Sequence, residues 1–418
     1  MRFTIFTHVI HREEEGEFYA YSPYVREMNL WLKNAEEVEV VAPAPQPPKK
    51  EFFFDESYKH SRISFIKIPS FHLLNFQAVL DSIIKIPFIF FRILGAMHRA
   101  DHLHLRCPGN IGLLAAIAQI FFPKKSKSVK YAGNWDPKAK QPWTYRFQKW
   151  ILSNRLLSRN IKVLVYGNWP NQSDNIVSFF TASFSERERE PVIKSFKQPY
   201  KFIFTGNLVE GKGVFDAVNL IDALRAVGEE AVLEIYGDGV LESSLVDYIK
   251  KKELQTFVKL MGRKSLEELR KAYKNAHFVV LLSKSEGWPK ALAEGMWYGC
   301  VPVATRVSCV PWMLNYGERG IIVPDIEKRE AIKEKRRENI EKREERRDDK
   351  ENFLRNCQFE GSDGSGDISR TGFSERDLAG IISLIENPEK LNEMSLAAQE
   401  WSQQYTLEKF EKAIKEMI

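Results

Sequence analysis

The 418-residue sequence predicts an α/β protein built from two doubly wound parallel sheets in tandem. The length is enough for two to three domains of about 150 residues each. Short apolar segments alternate with amphipathic ones along most of the chain, which is typical of parallel sheets with crossover helices. The composition, 44% hydrophobic and 28% charged, is that of a globular protein and excludes large-scale disorder.

The first series of elements predicts a domain over residues 1–197. Ser22-Pro23 is typical of an N-cap followed by a proline at the first helical position, which predicts a helix to about Lys33. The N-terminus turns polar at His8 and lacks the apolar core and cleavage site of a signal peptide. Strands are expected at Phe3–Phe6, Val38–Val41, Ser64–Ile68, His102–Leu105, Val129–Ala132 and Lys162–Tyr166.

The second series predicts a domain over residues 198–400, so that two Rossmann-like domains follow each other. Its strands are expected at Phe202–Phe204, Val232–Tyr236, Val258–Leu260, Phe278–Leu282, Val301–Ala304 and Gly320–Val323. Residues 327–371 are expected to form an insertion, because 327–351 carry 10 acidic and 11 basic side chains and 361–367 have the composition of a flexible linker. We expect the last helix, about 401–418, to pack back on the first domain.

Positive charge is concentrated in residues 57–162, which hold 18 basic and 3 acidic side chains although the whole chain has a net charge of +6. These charges are interleaved with phenylalanines, as in a surface that docks on anionic lipid headgroups. A buried Phe-rich core with scattered solvated lysines is the alternative. No nucleic-acid-binding motif accompanies the charge. The residues concerned are Lys85, Arg92, Arg99, Lys124, Lys125, Lys127 and Lys130, with Phe88, Phe90, Phe91, Phe121 and Phe122.

Cysteine spacing and apolar runs exclude several other classes of protein. The four cysteines include no close pair, which predicts neither a disulfide framework nor a zinc site and fits a reducing, cytoplasmic setting. No Asp-x-Asp pair or His/Cys/Asp cluster has metal-binding spacing, so we expect no metal and no cofactor. No segment offers the roughly 20 predominantly apolar residues of a membrane span.

A glycine-rich segment, Gly206–Gly213, follows a predicted strand and precedes a predicted helix. Backbone amides and a helix N-terminus can receive phosphate at such a place, and Lys212 would add a cation. The segment differs from a P-loop because Gly213 stands where a Ser or Thr would bind magnesium, which argues against a P-loop NTPase. A glycine turn with a solvated lysine is the alternative for this motif taken alone.

Two glutamates flank the start of a later helix. Glu286 lies in the loop after the predicted strand Phe278–Leu282, and Glu294 follows eight residues later, inside the next helix. The two carboxylates can therefore face one ligand at different depths. In isolation, glutamates at this spacing are usually solvated surface.

The segment Ser285–Thr305 resembles the signature of the family 4 retaining glycosyltransferases, which have the GT-B fold of two Rossmann-like domains facing a central cleft. The loop Gly206–Gly213, the loop Gly237–Gly239 and the Gly262 turn precede it in the order that the family has. The resemblance covers residues 200–325 well, the rest of the C-terminal part loosely and the first domain chiefly in architecture.

In the family, the nucleotide sugar lies mostly on the C-terminal domain and the acceptor on the N-terminal one. The resemblance implies that Lys212 neutralises the diphosphate, Glu294 accepts hydrogen bonds from the ribose hydroxyls, and Glu286 holds the sugar ring with the Gly287-Trp288 backbone. The implied nucleotide-sugar residues are Gly206, Asn207, Lys212, Gly237, Gly262, Arg263, Glu286, Gly287, Trp288 and Glu294. Gly262-Arg263 would border the base. Asn207 departs from the arginine that the family usually has, and Arg263 or Arg306 could replace that charge.

The first domain departs further from the family. Many relatives carry a histidine where this chain has Gly133-Asn134-Trp135-Asp136-Pro137, after a predicted strand, and Gly167–Pro170 is a near-copy after the next strand. Strand C-termini are where doubly wound sheets bind ligands. We therefore hypothesise that Asn134 and Asp136 act with Glu286 as catalytic residues and contact donor sugar or acceptor hydroxyls beside a stacking tryptophan. Local Asx turns are the alternative. His11, in the first strand-to-helix loop, could border the cleft.

The resemblance implies a retaining, metal-independent hexosyltransferase that moves a sugar from a nucleotide diphosphate sugar to a lipid-linked or cell-envelope glycan, in polysaccharide or lipopolysaccharide biosynthesis. The alternative is a GT-B nucleotide-sugar epimerase or hydrolase without a sugar acceptor. The expected partners are the donor, the glycan acceptor and, through residues 57–162, an anionic membrane surface; nucleic acid is not among them. We expect the protein in the cytoplasm, as a peripheral protein on the inner face of the cell membrane.

Overall fold

The structure is a computed structural model that describes residues 1–44, 55–71, 76–324 and 375–418, with side chains from 82 and from 378 onward in the helices that begin at 76 and 375. It divides into two compact units, Met1–Arg187 with Tyr405–Ile418, and Glu188–Gln404. The predicted charged arm and linker at 327–371 lie outside the described residues. Within the described residues, no helix has the length and apolar character needed to cross a membrane.

The first unit is built on a seven-stranded parallel sheet. Its strands are β1 (Arg2–Phe6), β4 (Glu37–Pro43), β6 (Ile63–Ile68), β7 (His102–Cys107), β8 (Ser126–Tyr131), β9 (Ile161–Tyr166) and β10 (Ile176–Phe179). They lie in the order β10-β9-β8-β7-β1-β4-β6, so the chain order reverses between β1 and β7. Doubly wound sheets bind ligands at the carboxyl ends of the strands beside such a reversal.

Two layers of helices bury the first sheet. The helices of this unit are α1 (Ser22–Leu32), α2 (Phe76–Arg99), α3 (Asn110–Ala118), α4 (Trp143–Ser153) and, from the end of the chain, α12 (Leu407–Lys415). Helices α2, α3 and α4 share one core cluster, and α1 and α12 share another. Strand β9 is apolar except at Lys162, as strands buried on both faces usually are, whereas the central strand β8 carries serines and lysines.

The second unit contains a six-stranded parallel sheet in the order β13-β12-β11-β14-β15-β16. The strands are β11 (Tyr200–Thr205), β12 (Ala231–Tyr236), β13 (Val258–Gly262), β14 (Phe278–Leu281), β15 (Val301–Thr305) and β16 (Ile321–Val323). The helices are α5 (Val214–Ala226), α6 (Glu242–Lys251), α7 (Leu266–Asn275), α8 (Lys290–Trp297), α9 (Val310–Met313), α10 (Glu375–Ile385) and α11 (Pro388–Ser402). Helices α5, α6, α10 and α11 contribute to one large core cluster with the strands, and the predicted pair of Rossmann-like sheets is confirmed.

Four strands were missing from the sequence-based prediction. The strands β2 (Arg12–Glu14), β3 (Glu17–Tyr21) and β5 (Asp55–Ser57) form a small antiparallel sheet. Strands β2 and β5 have three residues each and no apolar side chain, and β3 has only five residues, so none of them has the apolar run that identified the others. The fourth is β10, at the edge of the large sheet. Ser22 is also inside α1 rather than its N-cap, which is Tyr21, and its hydroxyl donates to Glu56.

The predicted lipid-docking list is wrong for two lysines. Lys127 and Lys130 are 2% and 0% exposed, because β8 lies inside the sheet and both of its faces are covered. The Lys127 ammonium donates to the Arg159 carbonyl, and burial lowers its pKa to about 8. The Lys130 ammonium donates to a backbone carbonyl and lies 4.3 Å from the Phe179 ring centroid. Neither charge can reach a lipid headgroup.

Candidate functional site

Three glycine-containing loops contact one another at the carboxyl ends of β11, β12 and β13. The Gly206 amide donates to the Tyr236 carbonyl at 2.9 Å, and the Gly237 amide donates to the Gly262 carbonyl at 3.0 Å. A Cβ on Gly237 would lie 1.8 Å from the Gly206 carbonyl oxygen, and its φ is +147°. Only glycine fits at position 237. Because these backbone hydrogen bonds join the loops 206–213, 237–239 and 262–263, the three loops form one continuous backbone surface.

The N-terminus of α5 faces the end of the first loop. Its N-cap is Gly213, with φ +74°, and a Cβ there would meet the Leu282 carbonyl oxygen at 2.1 Å. A glycine N-cap has no side chain to accept from the first-turn amides. Those amides and the helix dipole can therefore receive an anion, and Lys212 immediately precedes them.

Lys212 and Glu286 form an ion pair. The Lys212 Nζ lies 2.7 Å from Glu286 Oε1, and their side chains are 34% and 7% exposed. The two loops are also joined by the backbone, since the Lys284 amide donates to the Gly211 carbonyl at 2.8 Å. The structure thus brings together two predicted site residues that the sequence analysis had assigned to separate parts of one ligand. The ion pair itself was not predicted.

Hydrogen bonds from a neighbouring loop fix the backbone that follows Glu286. The Gly287 carbonyl accepts from the Ser308 hydroxyl at 3.5 Å and from the Cys309 thiol at 3.2 Å. The Trp288 side chain is 7% exposed, with its ring centroid 6.0 Å from that of Trp401. Because the indole is buried, this tryptophan anchors the loop in the core, and contact of the Gly287-Trp288 backbone with a sugar stays a prediction.

Glu294 lies in α8 and is tied to the first glycine loop through a tyrosine. The Tyr273 hydroxyl lies 3.4 Å from Glu294 Oε2 and 2.6 Å from the Thr205 hydroxyl, and Thr205 directly precedes Gly206. Burial raises the pKa of Tyr273 well above its ordinary value, so this hydroxyl stays protonated. The half-buried Glu294 carboxylate is thereby held next to the glycine loops, and its contact with a ribose stays a prediction.

The structure places the two predicted arginines differently. Arg263 Nη1 is 3.4 Å from Asp238 Oδ1, which joins the second and third glycine loops. Arg306 is exposed after β15, where its amide donates to the Val323 carbonyl. Asn207 is exposed on the first loop. Arg263 thus lies at the loops where the base was predicted to bind. That it replaces the positive charge missing at Asn207 stays a hypothesis.

In the first unit, Asn134 and Asp136 form consecutive Asx turns. Asn134 Oδ1 accepts from the Asp136 amide at 2.8 Å, and Asp136 Oδ1 accepts from the Lys138 amide at 2.8 Å. These bonds are the local turn chemistry named above as the alternative. Trp135 is 2% exposed and donates to Gln172, so it is not available for stacking on a sugar. The catalytic roles of Asn134 and Asp136 stay predictions.

His11 is buried in the core of the first unit. Its ring is 0% exposed, stacks on Tyr58 at 5.6 Å and hydrogen-bonds the Tyr58 hydroxyl at 2.7 Å. Burial lowers the pKa of His11 to about 4, so the ring is a neutral part of the core.

The sequence analysis missed Arg106, near the carboxyl end of β7 beside the reversal of strand order. Its guanidinium lies 3.3 Å from Glu27 and 5.5 Å from the Tyr24 ring centroid. The signal was present in the sequence, because Arg106 is a cation within an otherwise uncharged strand, and such residues in a sheet usually have a specific partner or ligand.

Within the described residues, no group of three His, Cys, Asp or Glu side chains has the arrangement of a metal site. The candidate site in the second unit consists of the glycine loops, the N-terminus of α5, the Lys212–Glu286 pair and Glu294. It can hold a diphosphate by charge and amides and can accept hydrogen bonds from hydroxyl groups through two carboxylates.

Residues 185–354 match the family model described as glycosyl transferases group 1. The chain is 32% identical over 124 residues to an uncharacterized glycosyltransferase of Methanocaldococcus jannaschii and 30% identical over 134 residues to the amylovoran biosynthesis glycosyltransferase AmsK of Erwinia amylovora. These matches span 29% and 31% of this chain and only about a third of each relative, 34% and 33%.

Solved structures support the fold over the whole chain. HepE of Anabaena, crystallised with UDP and glucose, aligns with a TM-score of 0.60 at 13% identity, covering 100% of this chain and 98% of its own. Sucrose-phosphate synthase of Thermosynechococcus elongatus aligns with a TM-score of 0.58 at 13% identity, with coverage of 100% and 98%. At such identity the likeness concerns the fold alone. The chain therefore has the GT-B fold, and residues 185–354 are similar to the glycosyl transferases group 1 family.

Proposed function

We propose that the protein is a retaining glycosyltransferase that moves a hexose-type sugar from a nucleotide diphosphate sugar to a glycan acceptor. The observation that carries the proposal is the Lys212–Glu286 pair beside the N-terminus of α5, within the residues that match the family model. Retention of configuration rests on the resemblance of Ser285–Thr305 to the family 4 signature.

The chemistry of sugar transfer requires that the charge on the leaving diphosphate be neutralised. The first-turn amides of α5 and the Lys212 ammonium, once it leaves Glu286, can supply the donors for it, which makes metal-independent transfer our proposal for this site. When the diphosphate takes Lys212, Glu286 loses its cation and becomes free to accept hydrogen bonds from sugar hydroxyls. Donor binding would thus replace Glu286 by the diphosphate as the partner of Lys212, and Lys212 by sugar hydroxyls as the partner of Glu286.

The names of the relatives guide the choice of reaction and acceptor. AmsK is named for amylovoran biosynthesis and WcaL of Salmonella typhimurium, 29% identical over 139 residues, for colanic acid biosynthesis. We therefore propose a cell-envelope polysaccharide or a lipid-linked precursor as the acceptor, met by a peripheral protein at the inner face of the membrane. Glycosyltransferase names among the relatives favour transfer over the epimerase or hydrolase alternative.

A donor panel tests the proposal. The full chain is incubated with UDP-, GDP- and ADP-sugars, with and without a lipid-linked glycan acceptor and EDTA, and release of nucleoside diphosphate is followed. UDP-sugars come first because HepE was crystallised with UDP and glucose. We expect acceptor-dependent release that survives EDTA and is impaired in Glu286→Gln.

Three results would contradict parts of the proposal. Release that proceeds equally without acceptor would indicate a hydrolase. Loss of activity with EDTA, restored by magnesium or manganese, would contradict metal independence. Failure of the chain to bind any nucleotide sugar would exclude the function altogether.

A further inference from the structure

A row of exposed aromatic side chains lies along α4. Trp143, Phe147 and Trp150 are 66%, 40% and 56% exposed, and their i, i+4, i+7 spacing puts them on one face of the helix. The Phe147 and Trp150 rings stack with centroids 5.8 Å apart. Ile151 and Leu152 are buried in the core instead. We call these three residues the aromatic row; the second unit's site does not use them.

Helix α2 repeats the pattern. Ile84, Phe88 and Phe91 are 80%, 48% and 72% exposed at the same i, i+4, i+7 spacing. Because α3 contacts both α2 and α4, the three helices form one layer over the same core cluster. Apolar exposure of this kind on two helices of one layer exceeds the scattered single residues of an ordinary surface and is typical of an interaction site.

Positive charge predominates around the aromatic row. Residues 137–160 contain six basic and no acidic side chains. Among them Lys138 and Arg146 are exposed near the row, and the exposed Arg155 is paired with Asp174 at 3.0 Å. A partner must therefore offer negative charge together with an apolar interior. A second copy of this surface would bring like charges together, which disfavours self-association through it.

We propose that the aromatic row and the basic side chains around it bind the interface of a bilayer that contains anionic lipids. Indole and phenyl rings are favoured at the level of the headgroups, and lysine and arginine are attracted to the lipid phosphates. Helix α2 would enlarge the apolar contact. This inference deepens the proposed function and rests on it, because the surface would hold the enzyme where a lipid-linked acceptor is presented.

Vesicle binding tests the surface directly. Full-length protein is mixed with phosphatidylcholine vesicles with or without phosphatidylglycerol, and bound protein is measured by cosedimentation across a range of salt. We expect binding only with the anionic lipid, and weaker binding as salt rises. Trp143→Gln with Trp150→Gln should lower the partition coefficient roughly tenfold. Since each basic residue contributes roughly a fivefold factor, Lys138→Glu with Arg146→Glu should lower it by about 25-fold or more.

The matched control is Val240→Gln with Leu396→Gln, two residues of the second unit that are 83% and 56% exposed. It should bind vesicles as the parent does. Brominated lipids should quench tryptophan fluorescence in the parent, and the quenching should fall when Trp143 and Trp150 become phenylalanine. All of these positions are exposed, so unfolding midpoints should stay near that of the parent.

Several results would overturn the inference: equal binding to neutral vesicles, unchanged binding in the tryptophan variant, or absence of quenching. A change from dimer to monomer in the tryptophan variant, seen by light scattering, would mean that a second copy covers the row. Affinity for nucleoside diphosphate is measured in parallel. If it is normal while vesicles are ignored, the surface proposal alone fails; if vesicles bind and no nucleotide does, the proposed function fails instead.

Discussion

Replacing Glu286 by glutamine is expected to tighten the binding of a nucleoside diphosphate while it slows sugar transfer. In the structure Glu286 Oε1 lies 2.7 Å from Lys212 Nζ. A diphosphate must take the lysine from that carboxylate, so the free energy of the ion pair is subtracted from the free energy of binding. Removing the negative charge of Glu286 releases the lysine and leaves an amide of the same shape.

The magnitude follows from the burial of the pair. Glu286 is 7% exposed, which favours a strong contact, but Lys212 is 34% exposed, so solvent screens part of the attraction. We take the pair as worth on the order of 1 to 2 kcal/mol. Glu286→Gln should then raise the affinity for UDP by about 5- to 30-fold. Lys212→Met should lower it by about 10- to 150-fold, since it removes a charge-assisted contact.

Isothermal titration of UDP into the parent, the two single variants and the double variant measures these changes. The double variant should bind like Lys212→Met, because no lysine remains to be released, and the cycle then gives the coupling between the two residues. Glu210→Gln is the matched control, since Glu210 is an exposed carboxylate two residues from Lys212 in the same loop. Its effect should be small.

Two outcomes would refute this reasoning. Equal tightening in Glu210→Gln and Glu286→Gln would show that the effect is a general one of charge and not of the ion pair. Weaker UDP binding in Glu286→Gln would show that the carboxylate supports the diphosphate site and does not compete for its lysine. Turnover with the sugar nucleotide must also fall in Glu286→Gln, or its proposed contact with the sugar is wrong.

Three further predictions concern other parts of the molecule. Gly237→Ala should destabilise the second unit by more than about 2 kcal/mol, because its Cβ would lie 1.8 Å from a carbonyl oxygen. Gly211→Ala has nothing within 4 Å and should lower the free energy of unfolding by only about 1 kcal/mol, because of its positive φ. Urea unfolding compares the two variants, and equal losses of stability would contradict the close approach at Gly237. Glu294→Gln should weaken donor binding by about 10- to 150-fold with a smaller change in turnover at saturating donor, and unchanged affinity in a titration would remove this residue from the ribose. Burial lowers the pKa of His102 to about 4, so below about pH 6.5 the unfolded chain binds a proton at this ring before the folded chain does. The free energy of unfolding should therefore fall toward pH 4 by about 1.4 kcal/mol per pH unit for this ring. His102→Asn should show a shallower pH dependence of unfolding, and parallel curves for variant and parent would contradict the lowered pKa.

The local parts of the candidate site could be predicted from the sequence because each follows a strand. Gly206, Gly237 and Gly262 each stand at the end of a strand that the pattern identified, and the structure shows their loops in contact. The Lys212–Glu286 contact joins residues 74 positions apart. It depends on the crossover that places β14 beside β11 instead of beside β13, and strand periodicity carries no information about strand order.

Counts of residue types gave wrong predictions where the exposure of a side chain depends on which face of its helix or strand is buried. The surplus of positive charge in 57–162 includes Lys127 and Lys130, which lie in a strand buried on both faces and donate to carbonyl oxygens. The same count gave no weight to Trp143 and Trp150, whose exposure depends on which face of α4 packs on the core. A helical projection of α4 could have placed these tryptophans on one face of the helix. That the opposite face is the one packed against α3 could not be derived without the tertiary structure.

The ion pair links the stability of the second unit to its ligand. A carboxylate that is 7% exposed is destabilising unless a cation or hydrogen-bond donors compensate its lost hydration, and Lys212 provides that compensation. A bound diphosphate removes the cation from Glu286, and the hydroxyl groups of the attached sugar can then replace it as donors. A nucleoside diphosphate without a sugar leaves the carboxylate uncompensated. The complete donor should therefore bind more tightly than the diphosphate and stabilise the second unit more at equal free concentration, because only the donor satisfies both members of the pair.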